Sequence, residues 1–299
     1  MPRACIVVLL LCGLVVRPPS AVAGPAEADP AVRRGLAARE ELRRRVDPAA
    51  GPPAEETWVA VSPGGRPALV VKGRVSGPDG RPTLRDEAIV DLGAGRVTSF
   101  VWFPNASARK AGEAIISLGE VSSRADAQVR RLLPGTELAL EGIQRYRASG
   151  EESIYYEASF TDPGGDVPFL QPTVRLLLDA STGNFFRFDA DPDWFAPPKA
   201  PKARLSRKAA ERVAAAALAA RDLSPALGAG AAPGKTGAAE LFIVRPNDWL
   251  ASPGEAAAAR ARVAWVVPFS LKGEPGRLVH RLFVDAATGK LLGGLPGAR

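Results

Sequence analysis

A single imidazole, His280, is all that this 299-residue chain offers to histidine-based metal or nucleophile chemistry. A zinc-binding His pair and a three-histidine metal centre are thereby excluded, and no G-x-S-x-G elbow accompanies the ring to build a Ser-His-Asp triad. His280 lies five residues before Asp285 in a strand-like run, and it is expected at the rim of a sheet. Gly228 to Thr236 imitate a phosphate-cradling loop, but Ala229 stands where the first Gly is required and no strand pattern leads into it. A flexible loop is the expectation there. Asp189, Asp191 and Asp193 alternate as calcium ligands do, yet Trp194 replaces the turn Gly and Ala200 the closing Glu, so a solvated acidic strand end is expected. The sequon Asn105-Ala106-Ser107 stands alone. Arg33, Arg34, Arg39, Arg43, Arg44 and Arg45 surround one helical stretch and are interrupted by Glu40 and Glu41, the pattern of a wet helix face. No catalytic, cofactor-binding or metal-ligating residue is assigned, and the chain is expected to be no enzyme.

Composition and the amino terminus set the compartment. Hydrophobic residues at 46% and charged residues at 24% exclude wholesale disorder and a multi-span membrane protein. Residues 1–23 read as a secretory signal: Arg3 is the positive end, Cys5 to Val16 the apolar stretch, and Ala21-Val22-Ala23 the cleavage site. Both cysteines, Cys5 and Cys12, fall in that segment, so the expected mature chain holds its core without disulfides in an oxidising compartment. Loss of Arg3 and Arg17 lowers the net charge from +7 to about +5, which permits loose association with anionic polymers without implying nucleic acid. A secreted, periplasmic or envelope-associated protein with no transmembrane segment after cleavage is expected.

The clearest internal repeat is a strand end running into a Gly turn. It occurs at Ile89 to Val97, with Asp91 and Gly95; at Leu177 to Phe185, with Asp179, Thr182 and Gly183; and at Phe283 to Leu291, with Asp285, Thr288 and Gly289. Asp bonds the amides that follow it, Thr reinforces the bond, and Gly takes the positive φ that closes the hairpin. Counting back from each Asp, the odd positions are Val90, Ala88, Asp86, then Leu178, Leu176, Val174, then Val284, Leu282, His280, which should form the core face. The fourth position back is charged each time, Glu87, Arg175 and Arg281, so the opposite face should be at least partly wet.

Each turn is preceded by further strand-like runs and a helical stretch. The helices are expected from Pro30 to Val46 with Asp29 as cap, across Ala108 to Leu133 with a break near Gly119, and from Ser206 to about Asp222 with Ala209, Val213, Ala216 and Ala220 inward. The order implies an α+β protein of three tandem cystatin-like units, each a helix packed on a four-stranded antiparallel meander. Their expected bounds are 24–104, 105–195 and 204–299, with the Pro- and Lys-rich 196–203 as linker.

The third unit, through Leu241 to Val244, Arg262 to Val267 and Phe283 to Gly289, resembles PepSY-type domains and the related propeptides of thermolysin-like proteases. The second resembles them through Leu178 to Gly183, and the stretch from Val90 through Pro104 to Val129 is similar to the small non-catalytic amino-terminal domains of copper amine oxidases. The first resemblance implies a cystatin-like fold and a binding role toward an exported metalloprotease, held inhibited or assisted in folding in trans. The alternative is an envelope structural or assembly module with no protease partner. Amine oxidase activity is not implied: its cofactor forms from a tyrosine after Asn, and Tyr155 and Tyr156 follow Ile154. A partner's extended segment is expected to add to the outer strand of the third sheet, with Trp249, Arg281 and Phe283 as contacts.

Overall fold

Asp29 and Pro30 start the first helix. The Asp29 side chain accepts the Ala31 N–H at 2.7 Å, Pro30 gives up no bond at the first helical position, and α1 runs Pro30–Val46. The computed structural model describes residues 29–49, 51, 53–61, 65–77, 80–103, 115–147, 154–201, 205–220, 232–252, 254, 260–272 and 279–297. The expected signal segment, the sequon at Asn105 and the start of the Gly228 stretch lie outside the described residues.

The strands β1 (Ala54–Val61), β2 (Pro67–Ser76), β3 (Pro82–Asp91) and β4 (Arg96–Trp102) follow α1 as an antiparallel meander. Ser117 then caps α2 (Leu118–Leu132), which precedes β5 (Ala139–Arg147), β6 (Ile154–Thr161), β7 (Val174–Asp179) and β8 (Phe185–Ala190). These two meanders do not stand apart. Strand β4 pairs antiparallel with β8 through Ser99 to Asp189, Phe100 to Phe188 and Val101 to Arg187, giving one eight-stranded sheet in the order β1-β2-β3-β4-β8-β7-β6-β5. Both helices lie on one face over one core, in which Val32 and Leu42 of α1 and Val121, Ala125, Val129 and Leu132 of α2 share Phe100, Phe160 and Phe188. The described residues of 24–104 and 105–195 thus share a sheet and a core.

The third helix, α3 (Arg207–Ala219), is capped by Ser206 and covers a second sheet. That sheet runs β10 (Glu240–Val244), β11 (Arg262–Leu271), β12 (His280–Asp285) and β13 (Leu291–Leu295), with β9 (Pro233–Thr236) also on β11. The fold is therefore mixed α+β, with a large antiparallel sheet and three helices among the described residues.

The expected core-face positions are borne out in all three hairpins. Val90, Ala88, Asp86, Leu178, Leu176, Val174, Val284, Leu282 and His280 are all buried. Several other expectations need correction. Helix α3 buries Ala210, Ala214 and Leu218, whereas Ala216 and Ala220 are exposed. Alanine occupies most of the helix, so apolar spacing alone does not single out a face, and Leu218 with Ala214 and Ala210 at i, i+4 spacing forms the buried one. Gly234-Lys235-Thr236 is strand rather than loop, because it adds to β11 beyond the end of β10. Arg39 and Arg43 on α1 are buried rather than wet. Arg39 donates to Asp86 and Glu55, and Arg43 donates to Glu40 at 2.7 Å and 2.8 Å.

Candidate partner-binding site

The Asp-to-Gly turn is built alike in each hairpin. Asp179 Oδ1 accepts the Ser181 and Thr182 amides, each at 3.0 Å, and both hydroxyls, while Gly183 donates back to the Asp179 carbonyl. Asp285 Oδ1 accepts the Ala287 and Thr288 amides at 2.9 Å and 2.8 Å, and Asp91 Oδ1 the Ala94 amide at 2.8 Å. Gly95, Gly183 and Gly289 have φ of 62°, 65° and 75°, a region that only Gly enters without strain. Burial pushes the Asp179 carboxyl up, but the four donated bonds outweigh it and hold the group below its ordinary range. Asp91 and Asp285 turn their second oxygens to Arg66 at 3.1 Å and Arg262 at 3.2 Å, and the two hydroxyls at Asp179 reach the same Oδ1 as the amides. The eight turn residues thus lie in the three turns at the strand ends.

The three expected contact positions part company. Arg281 is exposed on β12. Phe283, expected on an open face, is fully buried with Val244, Ala264, Val266 and Leu292, and Phe242, Leu170 and Leu295 pack on that cluster. The physical reason is that β12 is an inner strand whose Leu282-Phe283-Val284 run is apolar on both faces, so both faces of this sheet are covered. Trp249, expected as a contact, is half-buried and belongs to the helix-side core. Its ring stacks near Phe269 at 6.4 Å and His280 at 6.2 Å, and a Cβ on Gly294 would meet it at 2.5 Å. His280 is interior rather than at a rim: its ring lies 5.1 Å from Phe269, and Nδ1 accepts the Gly297 N–H at 3.0 Å.

Both edges of the β10-to-β13 path are already engaged by this chain. Along β13, the Asn247 amide donates to the Leu292 carbonyl and the Ser252 amide to the Leu291 carbonyl, both at 2.9 Å. Along β10, Ile243 donates to the Pro168 carbonyl at 2.8 Å and accepts from the Leu170 amide at 3.0 Å, so Phe169 pairs with Ile243 as a parallel bridge. Phe169 buries itself among Ile243, Ala261, Val263 and Ala286. Leu170 goes to the opposite side, against the cluster of Val244 and Phe283. Sequence reasoning missed this segment, although the apolar run Val167 to Leu170 inside a polar connection was its signal.

Beside the bridge lies a polar hub. Asp193 is buried, its Oδ2 accepts the Ala261 amide at 2.7 Å and lies 3.5 Å from Arg245, and its Oδ1 accepts from Arg66. Arg245 also donates to Asp191 at 3.2 Å, and its amide donates to Gln171 at 3.3 Å. The expected solvated acidic strand end is thus corrected: Asp191 and Asp193 are held by arginines brought in from remote parts of the chain. Among the described residues no group of His, Cys, Asp or Glu side chains could hold a metal ion, and no helix is long and apolar enough to cross a membrane.

No protein-family model and no curated protein matches the chain. Among solved structures it is similar to the Bacillus megaterium YpeB C-terminal domain, at 14% identity over 88% of this chain and 97% of that one, with a TM-score of 0.44. A likeness of that size carries no argument about function.

Proposed function

We propose that this chain is an exported, non-enzymatic binding protein of three tandem cystatin-like, PepSY-type units that engages an extended segment of a protein partner along the third sheet. The observation that carries the reading is the engagement of the β10 edge by Pro168 to Leu170, in which backbone bonds supply attachment and alternate side chains enter opposite faces. The threefold turn with its Asp and positive-φ Gly supports the unit reading. The side chains that carry chemistry elsewhere are spent on structure here, His280 in a ring stack and Asp191 and Asp193 on arginines. The sequence resemblance to thermolysin-like propeptides makes an exported metalloprotease the partner to test.

The test is the rate of such proteases, drawn from the host's own exported set, with and without the full chain. Slowed cleavage or accelerated protease folding, weakened by Arg281→Glu at unchanged melting temperature, is the expected result. No effect on any member of the set would leave the envelope assembly module, a reading favoured by the Asp193 hub that ties the two sheets together.

A further inference from the structure

Neighbouring antiparallel strands need only a short turn, yet β6 and β7 are joined by twelve residues, 162–173, whereas five, 77–81, join β2 to β3. The extra length reaches the other sheet at the bridge of Phe169 on Ile243 and, beside it, at Gln171, which accepts the Arg245 amide at 3.3 Å. The site it fills has two separate pockets. Phe169 enters the side lined by Ile243, Val263 and Ala286, and Leu170 the side of Val244 and Phe283. Pro168 contributes only its carbonyl, so its missing N–H costs nothing, and its fixed φ keeps the segment extended.

We propose that the β10 edge is a receptor groove for an extended Pro-Phe-Leu-like segment of a partner protein, and that residues 168–170 close it in cis. This rests on the binding role proposed above and adds the sequence read and the way the site is controlled. A tethered plug acts at an effective concentration on the order of mM, so a free segment at micromolar level is excluded until the plug is weakened or outcompeted. The apparent affinity for a partner is then reduced by the fraction of molecules with the plug out.

The experiment uses the full chain and a fluorescent peptide reproducing residues 166–172, in wild type and in the Phe169→Ala, Leu170→Ala double variant. The variant should bind the peptide at least about tenfold more tightly than wild type does, and a peptide with Ala in place of its Phe should lose that gain. Equal binding to both proteins, or none by a folded variant, would overturn the proposal. A dimer of the wild type that forms on concentration and vanishes in the variant would overturn it too, since the occupant would then be a second copy. Should the variant not fold, hydrogen exchange on wild type decides: millimolar peptide should speed exchange at Leu170 while Ile243 stays protected, and unchanged exchange at Leu170 overturns the proposal. Peptide binding without any effect on proteases would remove the protease partner and keep the groove. Protease inhibition that Phe169→Ala leaves unaltered, with no peptide bound, would remove the groove and keep the binding role.

Discussion

Asp86 sits at a core position of β3, and an ionised carboxylate there requires a partner. Arg39 supplies it from α1 with a side chain that is itself fully buried, donating through Nε at 3.0 Å, and Glu55 shares the guanidinium. Gly73 makes room, since a Cβ at that position would fall within 3 Å of both the Arg39 guanidinium and the Asp86 carboxylate. Asp86→Ala leaves the buried Arg39 guanidinium with the partly exposed Glu55 as its remaining close partner, so it should cost about 1–3 kcal/mol in denaturant melts. Arg39→Met combined with Asp86→Leu should recover most of that loss. A double variant as unstable as the single one would show that the pair is needed for more than mutual neutralisation. The two carboxylates near α1 also respond oppositely to acid. Hydrogen bonds from Arg43 hold Glu40 at about 2, so its contribution is present above its ordinary value of 4.5 and is lost as pH falls toward 2. Burial pushes Asp86 above its ordinary value of 3.8 against the pull of Arg39, so its contribution is greatest below 3.8 and declines as pH rises through the raised value. Melts across this range should show Glu40→Gln flattening the acid-side loss and Asp86→Asn removing the opposing slope.

At the scale of the element, the Asp-to-Gly hairpin and the helix before it form one device. Ile116 donates its amide to the Ala180 carbonyl at 3.0 Å, and Leu205 donates to Ala286 at 2.8 Å, each one residue before its capping serine. The helix start is thereby tied to the turn of its own meander. The three hairpins also bulge at matching places, between Ile89 and Val90, Leu177 and Leu178, and Phe283 and Val284, which adds local twist beneath the helix. The two Thr-containing turns differ in what surrounds the Gly. A Cβ on Gly183 would meet Arg124 at 2.5 Å and Ile116 at 2.8 Å, whereas one on Gly289 would meet Leu205 only at 3.5 Å. Gly289→Ala should therefore cost about 1–3 kcal/mol from backbone strain alone, and Gly183→Ala measurably more in parallel melts. Equal costs would mean that Arg124 and Ile116 move aside freely.

The whole molecule is organised by two joints. One is the β4 to β8 seam, where Ser99 also donates to Asp189 at 2.7 Å and Phe100 stacks 6.3 Å from both Trp102 and Phe185. The other is the hub at Asp193, which with Phe169 holds the third sheet against the rest. A buried carboxylate that satisfies the Ala261 amide and two arginines is expensive to lose. Asp193→Ala should split a single thermal transition into two, the third sheet melting first, as followed by calorimetry. One unbroken transition at reduced temperature would place the coupling in the apolar bridge instead.

The local structure was legible in residue order because it depends on short-range bonding. Asp29-Pro30 starts a helix, Asp91, Asp179 and Asp285 each need amides within a few residues, and Gly183 and Gly289 need positive φ wherever the chain goes. Strand alternation back from each Asp named the buried side chains of both sheets for the same reason. The placement of Phe283 and Trp249 was not legible, because Arg281 implied a wet face while the apolar run beside it reported burial on both sides. Nothing in the spacing of Arg66, Asp193, Arg245 and Ala261 foretold their meeting, nor that Phe169 would occupy the β10 edge. Those contacts join residues scores of positions apart, and only the docking of one sheet on the other decides them. By itself the sequence determined most of the elements, their order and the turns that end them, but not β9, which the pairing with β11 creates, nor the unbroken start of α2 at Leu118. The tertiary structure alone decided which edges stay open, since an edge is free or filled according to what distant chain reaches it.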